Sequence, residues 1–222
     1  MACMQAYTVA ALLCAAALIL LVFANCGTTF STSILQHFYF VRVDHGGDNI
    51  LLGLYNSCTT SGVNAGTTCG KPVFLYDGVQ DILSFISSKT SVSSTYHTLT
   101  KFGCLVGFAG ILTVISFFFG GTTSQANTRN ISNGMGAVAS VIAGIGNLLA
   151  LALLLYAYWE TIAAIQTSGV SHSWGPSLYM VGIAGLFVLI AFGCYMSKCF
   201  GRRRATKDYD DTHANYNFQP YY

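Results

Sequence analysis

The sequence predicts an all-α transmembrane four-helix bundle with a small extracellular antiparallel β-sheet. Three observations predict it. Of the 222 residues, 53% are hydrophobic and only 8% charged, against about a quarter charged in soluble domains, and mean hydropathy is +0.55. Four apolar stretches are each long enough to cross a bilayer core of ~30 Å. Between the first two lies a long polar segment, rich in β-formers, that holds Cys58 and Cys69.

The same composition narrows the function classes. A net charge of +2 is too small to argue for nucleic acid, and no basic patch interleaved with aromatics occurs outside the tail. The eight cysteines form no Cys-x-x-Cys or Cys/His cluster, so no metal site is expected. Asp44, His45, Asp48 and Asn49 surround a glycine turn, but they offer too few ligands for calcium and read as turn residues. No Ser/His/Asp, Cys/His, paired-carboxylate or phosphate-loop arrangement is present, so neither catalytic residues nor cofactors are expected.

Taken in order, residues 1–6 form a short N-terminus and 7–25 the first span. Tyr7 to Ala24 is an unbroken apolar run of eighteen residues. Val22 and Ala24 before Asn25 resemble a signal-peptidase site, yet no Lys or Arg precedes the run and its apolar part exceeds a usual signal core. A retained span is expected. Residues 26–101 form the large polar loop. Phe38–Val43, Ile50–Tyr55 and Pro72–Tyr76 are its candidate strands, with Gly46-Gly47-Asp48 as a turn between the first two. Three short strands do not stand alone, so a sheet lying over the ends of the spans is expected. Asp77 caps a helix starting at Gly78, with Val79, Ile82, Leu83 and Ile86 on one face. Ser87 to Thr95 reads as an exposed Ser/Thr-rich loop. The second span is 102–119, the linking loop 120–135, the third span 136–159, the second polar loop 160–176 and the fourth span 177–199. Trp159 and Trp174 bound the second loop, as membrane-interface aromatics do. The tail, 200–222, carries Arg202, Arg203, Arg204 and Lys207, then Asp208, Asp210, Asp211 and four tyrosines.

The arginines set the expected orientation. Positive residues close to a span end stay in the cytoplasm, so both termini and the 120–135 loop are expected inside and the cysteine loop outside. Asn130-Ile131-Ser132 matches a glycosylation sequon but falls on the cytoplasmic side and is expected to go unused. An outer loop faces an oxidising compartment, where Cys58 and Cys69 are expected to close a hairpin as a disulfide; two free loop thiols are the alternative. Cys26 and Cys104 fall at similar depth at the outer span ends, and two buried thiols are favoured there over a second bridge.

Within the spans, Gly136, Ser140 and Gly144 recur every four residues, as do Gly103 and Gly107, a spacing that lets membrane helices approach closely. Packing inside the bundle is the first expectation and packing between copies the sharper one. Asn147 is the strongly polar side chain deep in a span, and an interhelical hydrogen bond is expected to explain it. Cys199, beside Arg202, Arg203 and Arg204, suits palmitoylation and contact with anionic lipid.

The order Gly53-Leu54-Tyr55-Asn56-Ser57-Cys58, ten residues, Cys69 resembles the signature of claudin-like tetraspans, with Tyr55 where those proteins have Trp. Gly175-Pro176-Ser177-Leu178-Tyr179 entering the last span is also similar to claudins. Together with Phe38-Tyr39-Phe40-Val41-Arg42-Val43-Asp44, the motif is closer to the fungal Sur/PalI tetraspans, which include cortical-patch (eisosome) proteins and an ambient-pH-signalling component. The resemblance implies a multi-pass plasma-membrane protein that associates laterally to organise membrane domains or cell-surface contacts. Its expected partners are membrane lipids, further copies of itself and a cytoplasmic tail-binding protein. The other class it allows is a sensor or transport regulator, in which His37, His45, His97 and His172 would meet external pH or ions and the tail would signal.

Overall fold

A computed structural model describes residues 2–28, 35–62, 67–86, 92–121, 129–165 and 169–216, with side chains over 8–28, 35–62, 67–86, 92–119, 134–165 and 169–196. Its long helices are α1 (Ala2–Cys26), α4 (Cys104–Gly121), α5 (Arg129–Ile165) and α6 (Pro176–Tyr216). They contain four segments long and apolar enough to cross a membrane, Thr8–Cys26, Ser94–Phe119, Gly134–Ile165 and Pro176–Met196. Helix α1 packs on α4 and α6, and α5 packs on the same two, which closes a ring of four antiparallel neighbours.

In helices this apolar throughout, hydrophobicity does not choose the buried face. Residue size does. On α1, Ala10, Cys14, Ala17, Leu21 and Ala24 are buried at helical spacing, whereas Val9, Leu12, Ile19 and Val22 face outward. On α5, Ala139, Ala143, Ala150 and Ala157 point in and Val138, Ile142, Ile145 and Leu149 point out. Lipid tails are as apolar as leucine, so close backbone approach through small residues is what helix association in a bilayer rewards.

The sheet has five antiparallel strands in the order β4-β3-β2-β1-β5: β1 (Val41–His45), β2 (Asp48–Leu52), β3 (Ser57–Thr60), β4 (Thr67–Cys69) and β5 (Ser171–Trp174). Val41, Val43, Ile50 and Leu52 alternate with more exposed residues and are buried in the same apolar core as the helices, the period-two pattern of a sheet covered on one face. Strands β1 and β2 turn at Gly46 and Gly47, whose φ values of 62° and 95° favour glycine. Two short helices follow. Helix α2 (Gly78–Phe85) starts at Asp77, whose Oδ1 accepts from Gln80 N at 3.1 Å. Helix α3 (Ser94–Lys101) starts at Ser93, whose Oγ accepts from Thr95 N.

Several expected boundaries differ. Pro72–Tyr76 is a turn and not a strand: Pro72 has no N–H to give a ladder, and Val73 N instead donates to Tyr55 O at 2.7 Å. The arms of the cysteine hairpin, β3 and β4, are strands that the propensity reading leaves out, being short and made of Ser, Thr and Cys. That reading also leaves out β5, which lies in the second loop yet pairs with β1, Val41 opposite Trp174 and Asp44 opposite Ser171. The Ser93 cap turns the end of the expected Ser/Thr loop into α3; residues 87–91 lie outside the described residues. Helix α5 runs past the expected third span at both ends, and α6 continues through the start of the expected tail.

Candidate functional site

The motif Gly53–Cys58 joins β2 to β3, and each of its residues meets a different part of the molecule. Gly53 N donates to Asn56 O at 2.8 Å, which makes a tight turn. A Cβ on Gly53 would lie 1.7 Å from Thr28 Oγ1, so no larger residue fits. Leu54 is buried in the main core, where a Cβ on Gly103 would come within 3.2 Å of its Cδ2. The Tyr55 hydroxyl donates to Asn25 Oδ1 at 2.8 Å, while Asn25 Nδ2 donates to Leu21 O at 2.7 Å, which fixes the amide on the last turn of α1. Burial pushes the Tyr55 phenol above its ordinary range, so it remains a donor at all working pH. Asn56 is buried. Its Nδ2 donates to Gly70 O at 2.7 Å and Thr28 O at 3.4 Å, and its carbonyl accepts from Thr28 Oγ1 at 3.2 Å. Ser57 Oγ donates to Asp81 Oδ2 on α2, which also accepts from the Tyr76 hydroxyl at 2.7 Å. Burial, reinforced by neighbouring Tyr158 and Asp81, pushes the Tyr76 phenol upward. Finally, Cys58 and Cys69 form a disulfide between paired positions of β3 and β4.

The motif is therefore a junction that seats the sheet on the bundle. Asn25, Thr28 and Asp81 belong to it beside Asn56, which the motif already contains, and sequence reasoning missed these three; the one available signal was a polar Asn25 at the end of an apolar run. The glycines of α4 and its approach serve the same junction. Gly103 meets Leu54, and a Cβ on Gly107 would lie 2.6 Å from the Tyr55 hydroxyl. They make room for the motif.

The other repeat works inside the bundle. A Cβ on Gly144 would lie 2.6 Å from Leu189 Cδ2 of α6. Ser140 and Ser116 are buried and hydrogen-bonded to each other, and both approach Gly136 O, at 2.8 and 3.1 Å. Cys14 of α1 meets Ser116 at 3.7 Å, and the Tyr195 hydroxyl of α6 donates to Ser116 O at 3.4 Å. One polar knot thus joins all four long helices. Asn147 departs from expectation: it is fully buried, and neither its Nδ2 nor its Oδ1 has a hydrogen-bond partner among the described residues.

Cys26 and Cys104 are free thiols. Around the turn, the Arg42 guanidinium holds Asp44 at 2.8 Å and Asp48 Oδ1 accepts from Gly62 N at 2.9 Å. No group of three or more His, Cys, Asp or Glu residues suited to a metal occurs among the described residues. The side chains of Cys199, Arg202, Arg203 and Arg204 lie outside the described residues, as does that of the sequon at Asn130.

A shallow groove of about 510 Å³ lies between the disulfide and α2, lined among others by Thr59, Thr68, Asp81 and Phe85. Its carboxylate is already engaged by Ser57 and Tyr76. Comparison with curated proteins finds no match. The family model of the SUR7/PalI family matches residues 6–194, nearly the whole chain.

Proposed function

We propose that this chain, which belongs to the SUR7/PalI family of tetraspan membrane proteins, is a structural component of the plasma membrane that associates laterally to organise membrane domains or cell-surface contacts. The observation supporting this reading is the union of sheet and bundle at the Gly53–Cys58 motif, where Leu54 and Tyr55 meet α1, α4 and its approach while Ser57 and Cys58 tie the strands to α2 and to each other. That union presents a fixed surface above spans whose central parts, 102–119 and 136–159, hold no Asp, Glu, Lys or Arg. Ionisable side chains inside spans mark ion and proton paths; a scaffold has no use for them. The Gly136–Gly144 face is consumed within the bundle, so contacts between copies fall to the outward-facing aliphatic and aromatic residues and to the sheet. Cys199 and Arg202–Arg204 serve membrane lipids and a cytoplasmic tail-binding protein. Fluorescence recovery after photobleaching of the tagged protein tests this: immobile patches are the expected outcome, and free diffusion would overturn the reading.

One observation favours a sensor as the second reading. His97 Nδ1 of α3 lies 3.0 and 3.1 Å from the two carboxylate oxygens of Asp77, the cap of α2. The contact ties α3 to the start of α2 within the first loop. His97→Gln abolishing a response to external pH, with patches intact, would support that role.

A further inference from the structure

We propose that the turn Val73-Phe74-Leu75 is an interfacial anchor that inserts into the same bilayer the spans cross, at the sheet end of the bundle. The three side chains are consecutive and 53%, 60% and 53% exposed, an unusual display of contiguous apolar surface. Their height relative to the membrane follows from neighbouring contacts. The Phe74 ring packs edge-on against Phe108 of α4, centroids 6.0 Å apart. Phe108 is itself outward-facing and lies within the apolar segment Ser94–Phe119. The residue before it, Gly107, faces the Tyr55 hydroxyl that is bonded to Asn25 on the last turn of α1. Phe74 is therefore level with the ends of two spans, on the outward side of one of them. That is the boundary between headgroups and acyl chains, where aromatic side chains collect.

The backbone of the turn suits that place. Pro72 has no N–H to leave unbonded, and Val73 N is already bonded to Tyr55 O, so fewer polar groups enter the apolar boundary. Exposed Lys71 precedes the turn, and its long chain reaches a lipid phosphate while the apolar residues enter below it. Continuity with the outward face of α4 makes the bilayer the occupant of this patch.

The test uses the full chain in lipid nanodiscs with Phe74→Trp as the single tryptophan, Trp159 and Trp174 being replaced by Phe. Lipids brominated near the headgroup end of the acyl chain should quench the emission of this probe in proportion to their mole fraction, and lipids brominated deep in the chain should quench it less. The same probe at exposed Thr68 on β4 should not be quenched. Emission from the Phe74→Trp protein unaffected by either lipid would overturn the anchor. So would emission that ignores bromine but shifts with the number of chains per disc, which would assign the patch to a second copy. Retention of the Cys58–Cys69 disulfide, read by intact mass, shows that each variant is folded.

Discussion

The Tyr55 hydroxyl sits between Asn25 Oδ1, to which it donates at 2.8 Å, and Gly107, whose missing side chain leaves it room. Gly107→Ala should therefore cost about 1–3 kcal/mol, the usual range for overpacking. In a Tyr55→Phe background the clashing oxygen is gone, and the next atoms a Cβ would meet are at 3.6 and 3.9 Å. There Gly107→Ala should be neutral, or stabilising by up to ~1 kcal/mol through helix propensity. Thermal unfolding of the four proteins in detergent measures the cycle, and additive effects would show that the hydroxyl does not occupy that space.

Breaking the Tyr55–Asn25 bond alone should cost less. A typical intramolecular hydrogen bond contributes a net of about 0.5–1.5 kcal/mol, so Tyr55→Phe and Asn25→Ala should couple by an amount in that range. A coupling near zero would mean that water replaces the bond.

Removing the disulfide should matter more than either contact. A closed loop of this size restricts the unfolded chain by ~2–3 kcal/mol in the chain-entropy account. Cys58→Ser and Cys69→Ser should each lose about that much, and the double variant should be no worse than either single one. Alkylation without reductant, followed by intact mass, should leave both cysteines of the native protein unlabelled.

Two glycines in apolar helices should respond in opposite ways. Gly144→Leu drives a side chain into Leu189 and should destabilise the bundle. Gly110 has nothing within 4 Å of a built Cβ, so Gly110→Ala should gain up to ~1 kcal/mol. Steric-trapping measurements in bicelles would resolve both signs.

Asn147 gives the sharpest test of the interior. An amide buried without partners forfeits about 1–3 kcal/mol. Asn147→Leu, close to it in shape, should raise thermal stability. A marked loss would show that the amide is bonded in the membrane.

How much of this was legible in the sequence differs by element. Spans were plain because twenty apolar residues have few other uses, and the β1–β2 hairpin was plain because two glycines interrupt an apolar alternation. Strands β3 and β4 were hidden as strands because Ser and Thr runs read as loops until a disulfide pins them in register. Strand β5 was hidden for another reason: its pairing with β1 comes from a distant segment, and local pattern carries no long-range register. The motif was visible as a motif, but its role was not. Nothing in the letters Gly-Leu-Tyr-Asn-Ser-Cys says that they face Thr28, Gly103, Asn25, Gly70, Asp81 and Cys69 in turn. Asn147 was misread because polarity in a span suggests a partner, whereas the partner can be known only from the facing helices.

The pairing of β1 with β5 also sets a schedule. Strand β1 leaves the ribosome early, but its neighbour on one side arrives only after α4 and α5 have been made. At about 5–20 residues per second, that wait is on the order of ten seconds. Until then the Val41–Asp44 edge has open hydrogen-bonding groups, a template for any other extended chain nearby. The first loop thus emerges as an unfinished sheet that only the arrival of β5, after α4 and α5, can close, and surveillance during biogenesis has a natural signal in that edge.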